Sequence, residues 1–117
     1  MDATSAECLL KLMSAAALRG RVLAGNIANQ NTPGYHRRIV SFEDELVAEL
    51  GRRRPDLAGI APRVLEDEEA VARADGNTVS LEAELSAGRE NRILYEVYAA
   101  ILQGRMDILR SAINGAR

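Results

Sequence analysis

Aromatic side chains are nearly missing from this chain. It has no tryptophan, one phenylalanine and three tyrosines in 117 residues. The large rings that anchor compact cores are therefore scarce. The apolar content falls to Ala, Leu, Val and Ile, which suits long helices packed side by side. Cysteine and histidine each occur once, as Cys8 and His36. A single cysteine excludes an intrachain disulfide, and one histidine beside it cannot complete a metal cluster. Cys8 is expected to be a small buried apolar residue. No Cys-His or Ser-His-Asp set can be assembled around His36, and neither a glycine-rich phosphate loop nor metal-ligand spacing occurs. No catalytic, metal or cofactor-binding residue is assigned, no small-molecule substrate is expected, and an enzyme is the weakest class.

Lysine is also rare, with Lys11 alone against many arginines, a pattern read first as coding bias. The formal net charge of −2 disfavours nucleic acid as a partner, although Arg37, Arg38 and Arg52 to Arg54 would be the residues for it. No apolar run approaches the ~20 residues of a membrane span. The N-terminus lacks the basic region and apolar block of a cleavable secretion signal. The expectation is a cytoplasmic protein, or one exported by a route without a cleaved signal.

What is present is organised around one stretch, Asn26 to Tyr35. Pro33 cannot continue a helix and pushes Thr32 toward extended geometry. Pro33-Gly34 fits the centre of a type II turn, with Gly34 at positive φ. Asn29 and Asn31 can bond groups freed at a helix end. The first helix is expected over residues 6–29, ending between Asn29 and Asn31. Leu9, Met13, Ala16, Gly20, Leu23 and Ile27 follow the alternating 4-3 spacing of a coiled-coil seam. Thr4 or Ser5 would cap it, with Glu7 in its first turn. Gly20 and Gly25 signal either the close approach of another backbone or simple tolerance.

Residues 30–79 read as extended or irregular, with a short helix after Ser41-Phe42-Glu43-Asp44, which resembles a capping box. That helix would present Phe42, Leu46, Val47 and Leu50 and stop at Gly51. Arg52 to Arg54 form a solvated loop or contact an acidic group or phosphate. Residues 55–75 are linker-like and expected to be mobile unless a partner orders them. Ile60, Val64 and Leu65 could support one strand. Asp75-Gly76-Asn77-Thr78 is a turn. Ser80 then caps a second helix to about Asn114, with Glu82 and Glu84 favourable to its dipole.

In that helix Leu81, Leu85, Gly88, Arg92, Tyr95, Ala99, Leu102, Met106, Leu109 and Ile113 alternate 4-3. Ile93, Leu94, Val97, Tyr98, Ile101 and Ile108 form a second apolar set. Helices of ~24 and ~35 residues span ~36 and ~52 Å, so an antiparallel pair leaves an apolar stripe uncovered. Such a stripe marks a protein–protein surface, unless the middle segment folds back over it. The fold class expected is all-α: two long antiparallel terminal helices forming a coiled-coil-like hairpin, joined by an irregular extended segment with a short helix. Residues 1–117 make one helical domain.

Two motifs add a resemblance. Ala24 through Tyr35, with Asn-Ile-Ala-Asn at its core and Thr-Pro-Gly-Tyr at its end, resembles the N-terminal signature of bacterial flagellar rod, hook and hook-associated proteins. Asp75-Gly76-Asn77-Thr78-Val79, the following Leu81 to Leu85, Asn91, Leu94-Tyr95 and Leu109 to Ile113 resemble the proximal-rod members of that family, as does the short length. The resemblance implies a structural subunit of the proximal rod of the flagellar basal body that self-assembles through its terminal helices and transmits torque. It implies periplasmic rod localisation after type III export without a cleaved signal peptide. The implied partners are other copies, other rod proteins, and basal-body ring adaptor and export-gate proteins.

The resemblance also implies residue roles. Asn26, Ala28, Asn29, Thr32, Pro33, Gly34 and Tyr35 form the signature turn, which aims the next segment at a neighbour and away from the helical pair. Leu9, Met13, Leu23, Ile27, Leu85, Tyr95, Leu102, Met106 and Leu109 build the intrasubunit coiled coil. Ile93, Val97, Tyr98, Ile101 and Ile108 pack between subunits. Phe42-x-x-x-Leu46 resembles an export-gate recognition pattern, or is simply the apolar face of the short helix. The alternative function is a soluble coiled-coil adaptor or export chaperone whose stripe clasps a client helix.

Overall fold

The computed structural model describes residues 3–115. In chain order the elements are α1 (Ala3–Ala28), β1 (Arg38–Ser41), α2 (Glu43–Leu50), β2 (Arg63–Glu66) and α3 (Leu81–Gly115). The molecule is a rod, 67 × 30 × 15 Å. The helices run antiparallel, with Asn26 beside Glu84 and Ala16 beside Asn91. Toward the other end, Cys8 shares a groove with Tyr98 and Ile101. Rises of 1.5 Å per residue make α1 ~39 Å and α3 ~52 Å long, so α3 overhangs.

Each boundary has a local cause. Tyr35 N–H donates to the Thr32 carbonyl at 3.2 Å, and Gly34 has φ +72°. These close the type II turn expected from Pro33-Gly34. The last residue of α1 is Ala28, one short of the expected stop, and Asn29 to Asn31 form turns. The Ser80 hydroxyl accepts from Ala83 N–H at 3.4 Å and starts α3, with Glu82 and Glu84 in its first turn. Two expected caps are absent. Thr4 and Ser5 lie inside α1, which already runs from Ala3. Phe42 occupies the N-cap position of α2 and makes no side-chain cap bond, so the Ser41 capping box does not form. The phenyl ring is held by burial there.

A two-stranded antiparallel sheet adds to the helical fold, pairing Arg38 with Glu66 and Ser41 with Arg63. The sheet and α2 lie along α1. Phe42, Leu46 and Leu57 bury against Ala15, with Cys8, Leu12 and Ile60 packed around them. Val47 and Leu50, expected on the same face, are exposed. Arg19 donates to the Val40 carbonyl at 3.2 Å and pairs with Glu43 at 2.7 Å, and Lys11 donates to the Ile60 carbonyl at 2.7 Å. This corrects the expected path after Tyr35. The chain folds back along α1, because α1 carries a second apolar face at Cys8, Leu12 and Ala15. It also corrects the reading of residues 55–75 as a linker, since contacts within the chain hold them. Burial pushes the Cys8 thiol above its usual range.

Gly76 has φ +83°, and a Cβ there would stand 3.3 Å from the Gly34 Cα. Gly25 lies inside α1 with nothing within 4 Å of a built Cβ, so no backbone of this chain requires it. Gly76→Ala should lower stability by about 1–3 kcal/mol. Gly25→Ala should raise it by up to ~1 kcal/mol. Urea unfolding of both variants measures this, and shifts of the same sign would contradict it.

Candidate functional site

Two motifs that lie 40 residues or more apart in the chain meet in one buried polar junction. Asn26 has no solvent exposure. Its amide oxygen accepts from Arg38 N–H at 2.9 Å and from the Tyr35 hydroxyl at 3.3 Å. Its amide nitrogen donates to the Arg38 carbonyl at 2.8 Å and to Glu84 Oε2 at 3.2 Å. That is the full bonding capacity of an asparagine side chain. By meeting both the N–H and the C=O of Arg38, it serves β1 as a neighbouring strand would.

Asn77, also without exposure, does the reciprocal work. Its amide nitrogen donates to the Asn29 and Thr32 carbonyls at 2.9 and 2.8 Å, and its oxygen accepts from Val79 N–H at 2.7 Å. Carbonyls at a helix C-terminus have no partner within the helix. Here a residue 48 positions away supplies one. Gly34 N–H donates to the Asp75 carbonyl at 2.9 Å, and Thr78 N–H to the Tyr35 carbonyl at 3.0 Å. The Thr78 hydroxyl accepts from Arg37 N–H at 2.8 Å. Arg73 ties the Gln30 and Val79 carbonyls together.

Charge closes the junction. Glu84 has no exposure, and its Oε1 accepts from Arg37 Nε at 2.5 Å. The other side of the Arg37 guanidinium pairs with Asp67. The hydrogen bond that Arg37 donates to Glu84 is the main cause of its raised pKa; burial opposes it, and Asp67 adds to it. A raised cation pKa contributes stability that is fully present below the unfolded value and lost only as pH climbs through the folded one. For an arginine that window is strongly alkaline, so its titration gives no slope near neutrality. The acidic run 66–69 thus supplies a partner for Arg37, while Arg52 pairs with Glu49 at 3.4 Å.

The seam between the long helices differs from the expected one. Leu9 and Leu23 are buried, and Met13, Ile27 and Leu102 are half-buried. Leu85, Tyr95, Met106 and Leu109 are exposed by 40% or more. The seam on α3 keeps Gly88, Ala99 and Leu102 of the expected set but turns toward Glu84, Ala87 and Asn91, and all six are buried or half-buried. Asn91 donates to the Ala16 carbonyl at 2.8 Å across it. Apolar spacing predicted the seam, whereas polar pairing places it.

Of the residues expected between subunits, Ile93, Val97, Ile101 and Ile108 are exposed. They share one flank of α3 at spacings of four, four and seven. Tyr98 is half-buried in the groove with Cys8, Leu9 and Leu12. Leu81, Leu85 and Met106 line the opposite flank. In the turn, Asn26 is buried, Asn29 and Tyr35 are half-buried, and Ala28, Thr32, Pro33 and Gly34 are exposed. Phe42 and Leu46 are core residues at 1% and 4% exposure. Among the described residues no cluster of metal-ligating side chains occurs, and no helix is long and apolar enough to cross a membrane.

Sequence reading missed Arg37, Asp67, Asn77 and Glu84 as members of one site. Glu84 and Asn91, seven apart and therefore on one face of the helix, were the available signal.

No family model matches the chain. It is similar to the flagellar basal body rod protein FlgB of Aquifex aeolicus, 31% identical with 83% of this chain and 82% of that protein covered. The FlgB of Cereibacter sphaeroides is 33% identical, with 83% and 84% covered. That of Salmonella typhimurium is 29% identical, with 85% of each covered.

Arg37→Ala would leave the Glu84 carboxylate buried without its cation and should cost about 3–5 kcal/mol. Asn77→Ala removes three bonds and should cost about 2–3 kcal/mol. Amide exchange should then accelerate across residues 29–38 in both variants. Exchange unchanged there while other regions open would contradict the coupling of the two motifs.

Proposed function

The chain belongs to the FlgB family of flagellar basal body rod proteins, and we propose that it joins other copies of itself and other rod proteins through the flanks of α3. It is a structural subunit of the basal body rod, a role that self-assembly and torque transmission fit. The observation that carries the interface is the surface of α3. Ile93, Val97, Ile101 and Ile108 are exposed on one flank, by 44–71%. An apolar stripe of that length on a narrow rod is the signature of an association surface. The overhang of α3 beyond α1 extends it to Ile108.

The finer placement follows from the same reading. The subunit sits in the periplasmic rod, between ring adaptor and export-gate proteins on one side and further rod proteins on the other. It arrives there unfolded, without a cleaved signal. Phe42 and Leu46 are accessible only in an unfolded chain, so an export gate would read them before folding. The role is structural and needs no catalytic group.

Ile93→Asp and Ile108→Asp replace exposed side chains and should change the stability of the isolated chain by no more than about 0.5 kcal/mol. Each should abolish swimming and leave basal bodies without a rod, as deletion of the gene should. Wild-type motility with both substitutions would remove the α3 flank from the interface. Intact rods after gene deletion would remove the rod role itself.

A further inference from the structure

The flank of α3 that meets α1 is not its most apolar one. Glu84, Ala87, Gly88 and Asn91 face α1, while Leu85 and Tyr95 stand beside that face, 43% and 40% exposed. A rotation of α3 by roughly 60°, little more than half the turn between successive residues, would bring Leu81, Leu85 and Tyr95 toward α1 in place of Glu84 and Asn91 and bury more apolar surface within the subunit. Burial of apolar area alone therefore does not account for the observed face.

We propose that Glu84 and Asn91 act as positioning residues that select the face α3 turns toward α1, and so hold its apolar flanks free for other subunits. Rotation would strip Asn26 and Arg37 of the Glu84 carboxylate. Asn26 has no exposure and could not recover that bond from water. It would also break the Asn91 bond to the Ala16 carbonyl. The two contacts sit two turns apart on α3, so together they fix its rotation as well as its sliding position. Asn91 bears a cost for this, since its amide oxygen is buried with no bonding partner. A group retained at such a cost on a helix seam is the pattern by which a polar residue sets helix register. Reservation of the flanks for neighbours rests on the rod reading above; selection of the face does not.

The native Cys8 makes the face measurable in the full chain, because it lines one groove with Tyr98. A short bismaleimide should join Cys8 to a cysteine in Tyr98→Cys several-fold more efficiently than to one in Tyr95→Cys, in dilute monomer. Adding Glu84→Ala with Asn91→Ala, which removes the polar groups without giving the observed face large apolar side chains, should equalise or invert that ratio while the helical circular-dichroism signal remains. A ratio unchanged in a helical variant overturns the proposal. Loss of the helical signal overturns it as well, because the polar groups would then hold the helices together instead of choosing between faces. Asn91→Ala alone should move the ratio in the same direction and less far; a ratio that stays fixed overturns the part assigned to Asn91. A moved ratio with normal swimming would leave face selection standing and sink the rod reading of the flanks.

Discussion

A carboxylate taken fully out of water must be met by a cation and by hydrogen-bond donors, or the fold that buries it does not hold. Glu84 is that carboxylate, and the groups that meet it come from two other places in the chain. Asn26 reaches it from the last turns of α1. Arg37 reaches it from the residue before β1, and brings Asp67 from just beyond β2. One buried charge thereby fixes where α3 lies on α1 and where the sheet begins. The signature turn between Asn26 and Arg37 has both of its ends held by this contact. Its conformation is then a consequence of geometry imposed from outside, to which Gly34 and Pro33 are suited.

The two long helices are used unequally. α1 is consumed from both sides: Leu9, Ala16 and Leu23 face α3, and Cys8, Leu12 and Ala15 face the middle segment. α3 is consumed from one side only. The middle segment had two helices on which to fold back, and it covers the shorter one. Most of the large apolar side chains left exposed thus belong to the helix that projects furthest. A subunit with this division of labour is complete as a folded unit and incomplete as a surface, as a stacking subunit requires.

Local chemistry was legible in the sequence wherever a single residue decides. Gly34 at positive φ, the Ser80 cap, the stop of α2 at Gly51 and the two helix spans all follow from residues at the spot. What was not legible depends on pairs far apart. Asp75-Gly76-Asn77-Thr78 reads as a surface turn because nothing in its own stretch reveals that Asn77 fills the end of α1. Glu84 reads as a partner for a helix dipole because its cation lies 47 residues upstream. The seam on α3 was displaced for the same reason. Periodicity counts apolar residues, whereas here Glu84 and Asn91 carry the interface.

The span of these contacts has a kinetic meaning. Asn26 to Glu84 closes a loop of 58 residues, and Asn91 to Ala16 one of 75. Closing loops of that size costs conformational entropy before any bond is returned, and long sequence separation slows folding in general. A chain delivered end first, from either terminus, cannot form the junction until most of its length is free. The bonds from the end of α1, the turn and the start of β1 to residues 75–84 wait for that second half, while the core of Phe42, Leu46 and Leu57 on Ala15 lies wholly within the first. The junction thus closes only when both halves of the chain are free to meet.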